Sequence, residues 1–176
     1  IKSIYPYLKN SQIIGVGTTA ICFLMQDGNV LKVYLNTFNK KELFYKRNML
    51  EHLKLLNSIS NDSFIGPTEV LVKNGNCVAY IYPYVYARTL FNMKKDTTIY
   101  DIVQSFDKLI DDTKKISEKS FRLGDIHDQN ILFNHVYSII DLDRGYIEDR
   151  YDIKNIQTSN MKEITKTIIY ALFKVK

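Results

Sequence analysis

Residues 11–35 leave this chain little choice of local structure. Two apolar runs, 11–17 and 20–25, meet at Gly15-Val16-Gly17-Thr18-Thr19, and Asp27-Gly28-Asn29 then turns the chain into a third run, 30–35. Asp-Gly between alternating apolar residues is a strong hairpin signal. The spacing therefore predicts three consecutive antiparallel strands. A second hairpin is expected from residues 68–72 and 77–82 around Lys73-Asn74-Gly75-Asn76. Any fold of this sequence has to begin from a sheet.

Between the hairpins, residues 39–56 lack Gly and Pro and carry Leu43, Leu50, Leu53 and Leu56 near helical spacing, so a helix is expected there. Pro83 has no N–H to donate and should end the ladder. Residues 84–87 read as a connector, 99–119 as one helix with Ile102, Phe106, Leu109, Ile110 and Ile116 facing inward, 136–140 as a short strand, 144–159 as irregular, and 161–173 as a last helix. Strands, a helix, strands and then mostly helices describe an α+β protein with a sheet lobe and a helical lobe.

With 176 residues and 45% hydrophobic content, one domain with a real core is expected. The charge of +5 is mild and fits a solvated Lys-rich surface, so a nucleic-acid partner is not expected. Cys22 and Cys77 fall in predicted strands without metal-ligand spacing, which suits a reduced, cytoplasmic setting. No apolar run is long enough to span a membrane and no signal-peptide pattern opens the sequence, so no membrane association is expected.

The chemistry gathers in Leu123-Gly124-Asp125-Ile126-His127-Asp128-Gln129-Asn130, followed by Ile140-Asp141-Leu142-Asp143. Phosphoryl transfer needs one group to orient a hydroxyl and oxygen ligands for magnesium. Asp125 is the candidate base, and Asn130 and Asp141 are candidate Mg²⁺ ligands, since hard Mg²⁺ prefers such oxygens. Each of the three could alone be a turn former or strand-end cap; their order is what carries the reading. His127 either bonds the transferring phosphate or braces the loop. Upstream, Gly15, Val16, Gly17 and Thr18 form a segment whose backbone N–H groups can approach phosphate oxygens. Lys32 lies mid-strand, either on the solvent face or held for a purpose, and the glycine turn one hairpin earlier favours the second. Its carboxylate partner is expected to be Glu42, with Glu51 the competitor on another helix face.

In this order the residues resemble the protein-kinase-like superfamily over nearly the whole chain. Gly15 and Gly17 are similar to its glycine-rich loop, with Ala20 in place of the third glycine. Lys32, in Val-Leu-Lys-Val-Tyr, is similar to its strand lysine, and Asp125, Asn130 and Asp141 to its catalytic-loop and metal-binding residues. Gly124, Asp125, His127 and Asn130 resemble the His-Gly-Asp-x-His-x-x-Asn pattern of the aminoglycoside phosphotransferase and choline kinase branch, with Leu123 at the leading His. Arg150-Tyr151-Asp152-Ile153-x-Asn155 is similar to the stretch after the metal acid in choline kinases.

The resemblance implies a bilobal fold. Residues 1–83 would form an antiparallel N-lobe sheet with one helix, 84–90 a hinge, and 91–176 a reduced helical C-lobe. It implies ATP and Mg²⁺ as cofactors and Tyr82, Pro83 and Val85 as adenine-side hinge residues. Asp143 replaces the Gly of Asp-Phe-Gly and would add a metal contact. The implied activity is transfer of the ATP γ-phosphate to a hydroxyl acceptor, a small molecule or, in an atypical protein kinase, a protein; a non-catalytic nucleotide-binding module is the remaining alternative. With 33 residues after Asp143 (176 − 143), the acceptor side would be open, or completed by a protein partner or second subunit.

Overall fold

The computed structural model describes residues 4–35, 51–92 and 98–174. The chain divides into two compact units, a sheet unit of Ile1–Ser58 and Pro67–Tyr84 and a loop unit of Ile59–Gly66 and Val85–Lys176. It is a mixed α+β protein.

In the sheet unit, a four-residue helix α1 (Tyr5–Leu8) precedes β1 (Gln12–Val16), β2 (Ala20–Leu24) and β3 (Asn29–Tyr34); β4 (Glu69–Lys73) and β5 (Asn76–Pro83) follow. The five strands form one antiparallel sheet in the order β1-β2-β3-β5-β4. Gly28 takes a φ of 79° in the first hairpin, and Asn74 and Gly75 take 52° and 75° in the second. Positive φ at both central residues is the turn that suits strand twist, so the second connection is two residues rather than the four expected. Pro83 belongs to β5 opposite Asn29, and Tyr84 N–H still donates to the Gly28 carbonyl at 3.1 Å. The ladder thus runs one bond past the proline.

Cross-strand partners share a face. One face carries Leu31, Leu71, Ala79 and Ile81, which with Met25 form a buried cluster covered by Ile4, Tyr7 and Leu8 from the α1 region. The other carries Lys32. Residues 51–59 are helical (α2), with Leu53 and Leu56 buried. The expected start of this helix, with Glu42, Leu43 and Leu50, lies outside the described residues.

The loop unit holds β6 (Arg88–Thr89), α3 (Ile99–Gln104), α4 (Phe106–Ser117), β7 (Phe121–Arg122), β8 (Ile131–Phe133), β9 (Tyr137–Ile139), β10 (Tyr146–Ile147) and α5 (Ile153–Lys174). Strands β6, β8 and β9 form one small sheet, and β7 pairs with β10. The single helix expected over 99–119 is two. Thr98 and Asp101 cap α3 reciprocally, and Ser105 marks the break, its hydroxyl lying 2.8 Å from the Asp101 carbonyl and 2.7 Å from that of His135. Ile102, Leu109 and Ile116 are buried as expected, but Ile110 is 39% exposed, because the buried stripe of α4 runs through Leu109, Thr113 and Ile116.

The last helix begins at Ile153, not 161. The Asp152 carboxylate accepts from the Asn155 backbone N–H at 2.8 Å and starts the first turn. Its buried stripe is Ile156, Asn160, Ile164, Ile168 and Ala171. Among the described residues, no helix is long and apolar enough to cross a membrane.

Candidate functional site

The sheet unit aligns its expected residues in one row. Gly15 pairs with Cys22, Cys22 with Lys32, and Lys32 with Tyr80. Gly15 and Lys32 therefore sit two strands apart on one face, about 10 Å by the usual strand spacing. Lys32 is only 6% exposed. Its Nζ lies 5.8 Å from the Tyr34 ring centroid and 5.6 Å from that of Tyr80, within cation–π range. Of the two positions left open for Lys32, the solvent face is excluded. Tyr82, two residues along β5 from Tyr80, shares this face, with its hydroxyl 3.9 Å from Cys22 Sγ. Cys22, expected only to be a reduced cysteine in a strand, joins this row, and strand alternation opposite Gly15 could have placed it there. Val16, Gly17 and Thr18 are exposed, and the turn closes through Gly17 N–H to the Ala20 carbonyl at 2.9 Å. Glu51 is exposed on α2.

Of the expected hinge residues, Pro83 ends β5 and is exposed, while Val85 is half-buried and its carbonyl accepts from Ala87 N–H at 2.8 Å.

In the loop unit, hydrogen bonds of Asn130 join the backbone at Asp125 to the backbone next to Asp141. Asn130 is 8% exposed. Its side-chain N–H donates to the Asp125 carbonyl at 3.1 Å, its backbone N–H to the His127 carbonyl at 3.0 Å, and its own carbonyl accepts from Ile140 N–H at 2.9 Å. The residue after Ile140 is Asp141. Asn130 thus fixes the backbone at Asp125 on one side and beside Asp141 on the other. The His127 Nδ1 accepts from Gln129 N–H at 3.3 Å within the same loop. Asp125 is exposed and Asp141 and Asp143 are half-buried. Asp143 lies in the 3₁₀ turn Leu142–Arg144 that Asp141 opens.

Asp125 (φ 56°) and Asp141 (φ 62°) both adopt left-handed backbone conformations. Such positions are uncommon for a non-glycine residue and cluster at functional sites, although Asn10, Asn74, Ser120 and His135 share the conformation. Among the described residues, no three His, Cys, Asp or Glu side chains gather as a metal cluster. The expected ligands are instead an amide oxygen and carboxylates. Asn130 spends an N–H of its amide on the Asp125 carbonyl, and its Oδ1 is an oxygen of the kind that hard Mg²⁺ prefers.

The loop is fastened from behind by α5. The Asn160 side chain accepts from Leu123 N–H at 2.9 Å and donates to the Phe121 carbonyl at 2.8 Å and Ser117 Oγ at 3.1 Å. Gly124 packs so closely on the next segment that an added Cβ would lie 2.3 Å from the Arg144 carbonyl oxygen. Asn160 had no signal in the sequence, being one polar residue in a polar stretch.

Comparison with known proteins finds no matching family and no matching curated protein.

Proposed function

We propose that the chain is an ATP-dependent phosphotransferase of the protein-kinase-like superfamily, transferring the γ-phosphate to the hydroxyl of a small molecule. The observation that carries this reading is the Asn130 knit, which joins Asp125 and the Asp141 segment through hydrogen bonds of one amide residue. The bond from Ile140 extends the β8–β9 ladder by one rung, and the Asn130 side chain ties the Asp125 backbone to that ladder. The sheet supports the same reading: five antiparallel strands, a helix entering the sequence between β3 and β4, and a buried lysine in register with Gly15.

In this proposal Lys32 and the backbone at residues 15–18 hold phosphates, with the Tyr82–Val85 segment on the adenine side. Asn130 and Asp141, with Asp143 nearby, would hold Mg²⁺, which supplies charge neutralisation of phosphate oxygens. Asp125 orients the acceptor hydroxyl and takes its proton late in the transfer.

The test uses two variants and γ-labelled Mg-ATP with a panel of amino alcohols and amino sugars. Asp125→Asn is the informative change, because Asn tolerates the left-handed backbone of Asp125 and removes only the charge. It should keep the thermal stabilisation given by Mg-ATP, roughly 2.7 kcal/mol at 100 times the dissociation constant, and lose transfer by about 10²-fold or more. Lys32→Met should lose the stabilisation itself. Full transfer by Asp125→Asn would remove the base assignment, and absence of any Mg-ATP shift in the wild type would remove the whole reading. Label on the protein itself would move the acceptor from small molecules to protein hydroxyls.

A further inference from the structure

We infer that Asn160, in the middle of α5, is a positioning residue for Asp125, with Thr167 as its second anchor. The inference rests on the phosphotransferase reading for its catalytic consequence and on hydrogen bonds alone for its structural one.

Asn160 is 1% exposed and lies within an otherwise apolar stripe. A polar side chain there costs stability unless its groups are bonded. Both of its N–H donors are used, on the Phe121 carbonyl and Ser117 Oγ, and its oxygen accepts from Leu123 N–H. Ser117 Oγ in turn donates to the Thr113 carbonyl at 2.8 Å, so the amide also ties α4 to α5. Two turns along α5, on the same face, Thr167 Oγ1 lies 3.3 Å from the Ile126 carbonyl and 2.9 Å from that of Glu163. One hydroxyl proton serves both, so Thr167 is the weaker anchor.

These anchors flank Asp125, one at Leu123 two residues before it and one at Ile126 just after it. The backbone between them is the left-handed turn at Asp125. A strained conformation persists only where its surroundings over-determine it. Here Asn160, Thr167 and the Asn130 amide act on it from three points. Misplacement of a reacting group by an ångström costs rate more than binding. Neither α5 residue is expected to touch the nucleotide.

The test reads kinetics and amide hydrogen exchange on the full chain. Asn160→Ala should lower kcat tenfold or more, leave KM for Mg-ATP within about twofold, and accelerate exchange at Leu123 N–H. An unchanged kcat in the folded variant, or unchanged protection at Leu123, overturns the assignment. Should Asn160→Ala fail to fold, Thr167→Val keeps the shape and removes only the hydroxyl. It should lower kcat severalfold with Tm unchanged, and an unaltered kcat overturns the proposal. If the wild type transfers no phosphate, the phosphotransferase reading fails on its own, and exchange at Leu123 still decides whether Asn160 holds the loop.

Discussion

At Gly124 an added Cβ would lie 2.3 Å from the Arg144 carbonyl oxygen and 2.8 Å from its carbon; at Gly15 and Gly17 it would lie 3.7 Å from Cys22 Cβ and 3.5 Å from the Ala20 carbonyl oxygen. The first contact is impossible without moving backbone, and the other two are ordinary. Neither Gly15 nor Gly17 has a positive φ. Gly124 is therefore glycine because the chain packs on itself there. Neither close packing nor a positive φ demands glycine at 15, beside the register irregularity of β1, or at 17, in the turn after it. Close approach of a phosphate to the backbone is a demand that lies outside the chain's own packing, and the proposed nucleotide binding would place that demand at these two and not at Gly124.

The largest effect that this contrast predicts is at Gly124. Gly124→Ala should destabilise the protein by about 1–3 kcal/mol, the usual range for overpacking, and should abolish transfer, since the Leu123–Asp125 backbone must shift away from Arg144. Chemical denaturation with an activity assay checks it. A stable, active Gly124→Ala variant would mean that the acid loop is not held by this crossing.

The same contrast explains what could be read in advance. The sheet was legible because its signals are local: apolar alternation, Asp27-Gly28 and Asn74-Gly75. Register then followed, and with it the row Gly15, Cys22, Lys32, Tyr80. In the loop, residue types and order pointed to Asp125, Asn130 and Asp141, but the side-chain bond from Asn130 to the Asp125 carbonyl is not periodic and left no pattern. The short β8, paired with β9, escaped notice beside the acids for the same reason. The start of α5 was missed because Asn160 interrupts its apolar stripe, so the helical period became visible only after it. The residue that hid the helix is the one that fastens the loop.

A smaller effect is expected at the sheet. Gly15→Ala and Gly17→Ala should leave stability unchanged or raise it by up to about 1 kcal/mol, while weakening Mg-ATP binding about tenfold through loss of close backbone hydrogen bonds. The signs are opposite to those at Gly124, where stability and activity fall together. Thermal melts with and without Mg-ATP separate the two. Variants that lose stability but keep nucleotide affinity would assign Gly15 and Gly17 to packing, and the comparison would collapse.

The smallest effect appears only in acid and concerns how the loop unit is held. The sheet unit buries an apolar cluster and the cation of Lys32, whereas the loop unit buries a carboxylate, Asp112, 1% exposed, which bonds Lys115 at 2.7 Å and Lys108 at 3.2 Å. Burial alone would push this carboxyl up, but hydrogen bonds from Lys115, Ser63 and Lys108 outweigh it and hold the carboxyl below its ordinary value. A group whose pKa is depressed by folding stabilises above its unfolded pKa, and that contribution is lost as pH falls through the folded one. The stability difference between wild type and Asp112→Asn should therefore be constant from about pH 5 to 7 and shrink below about pH 4, the unfolded carboxyl range. Denaturation at a series of pH values measures it, with amide exchange reporting each unit. Exchange in the loop unit should respond to the substitution, while that of β3 and β5 should not. A difference that stays constant into strong acid would show that Asp112 does not titrate in this window, and the polar tie between Ser63 and α4 would then owe nothing to its charge.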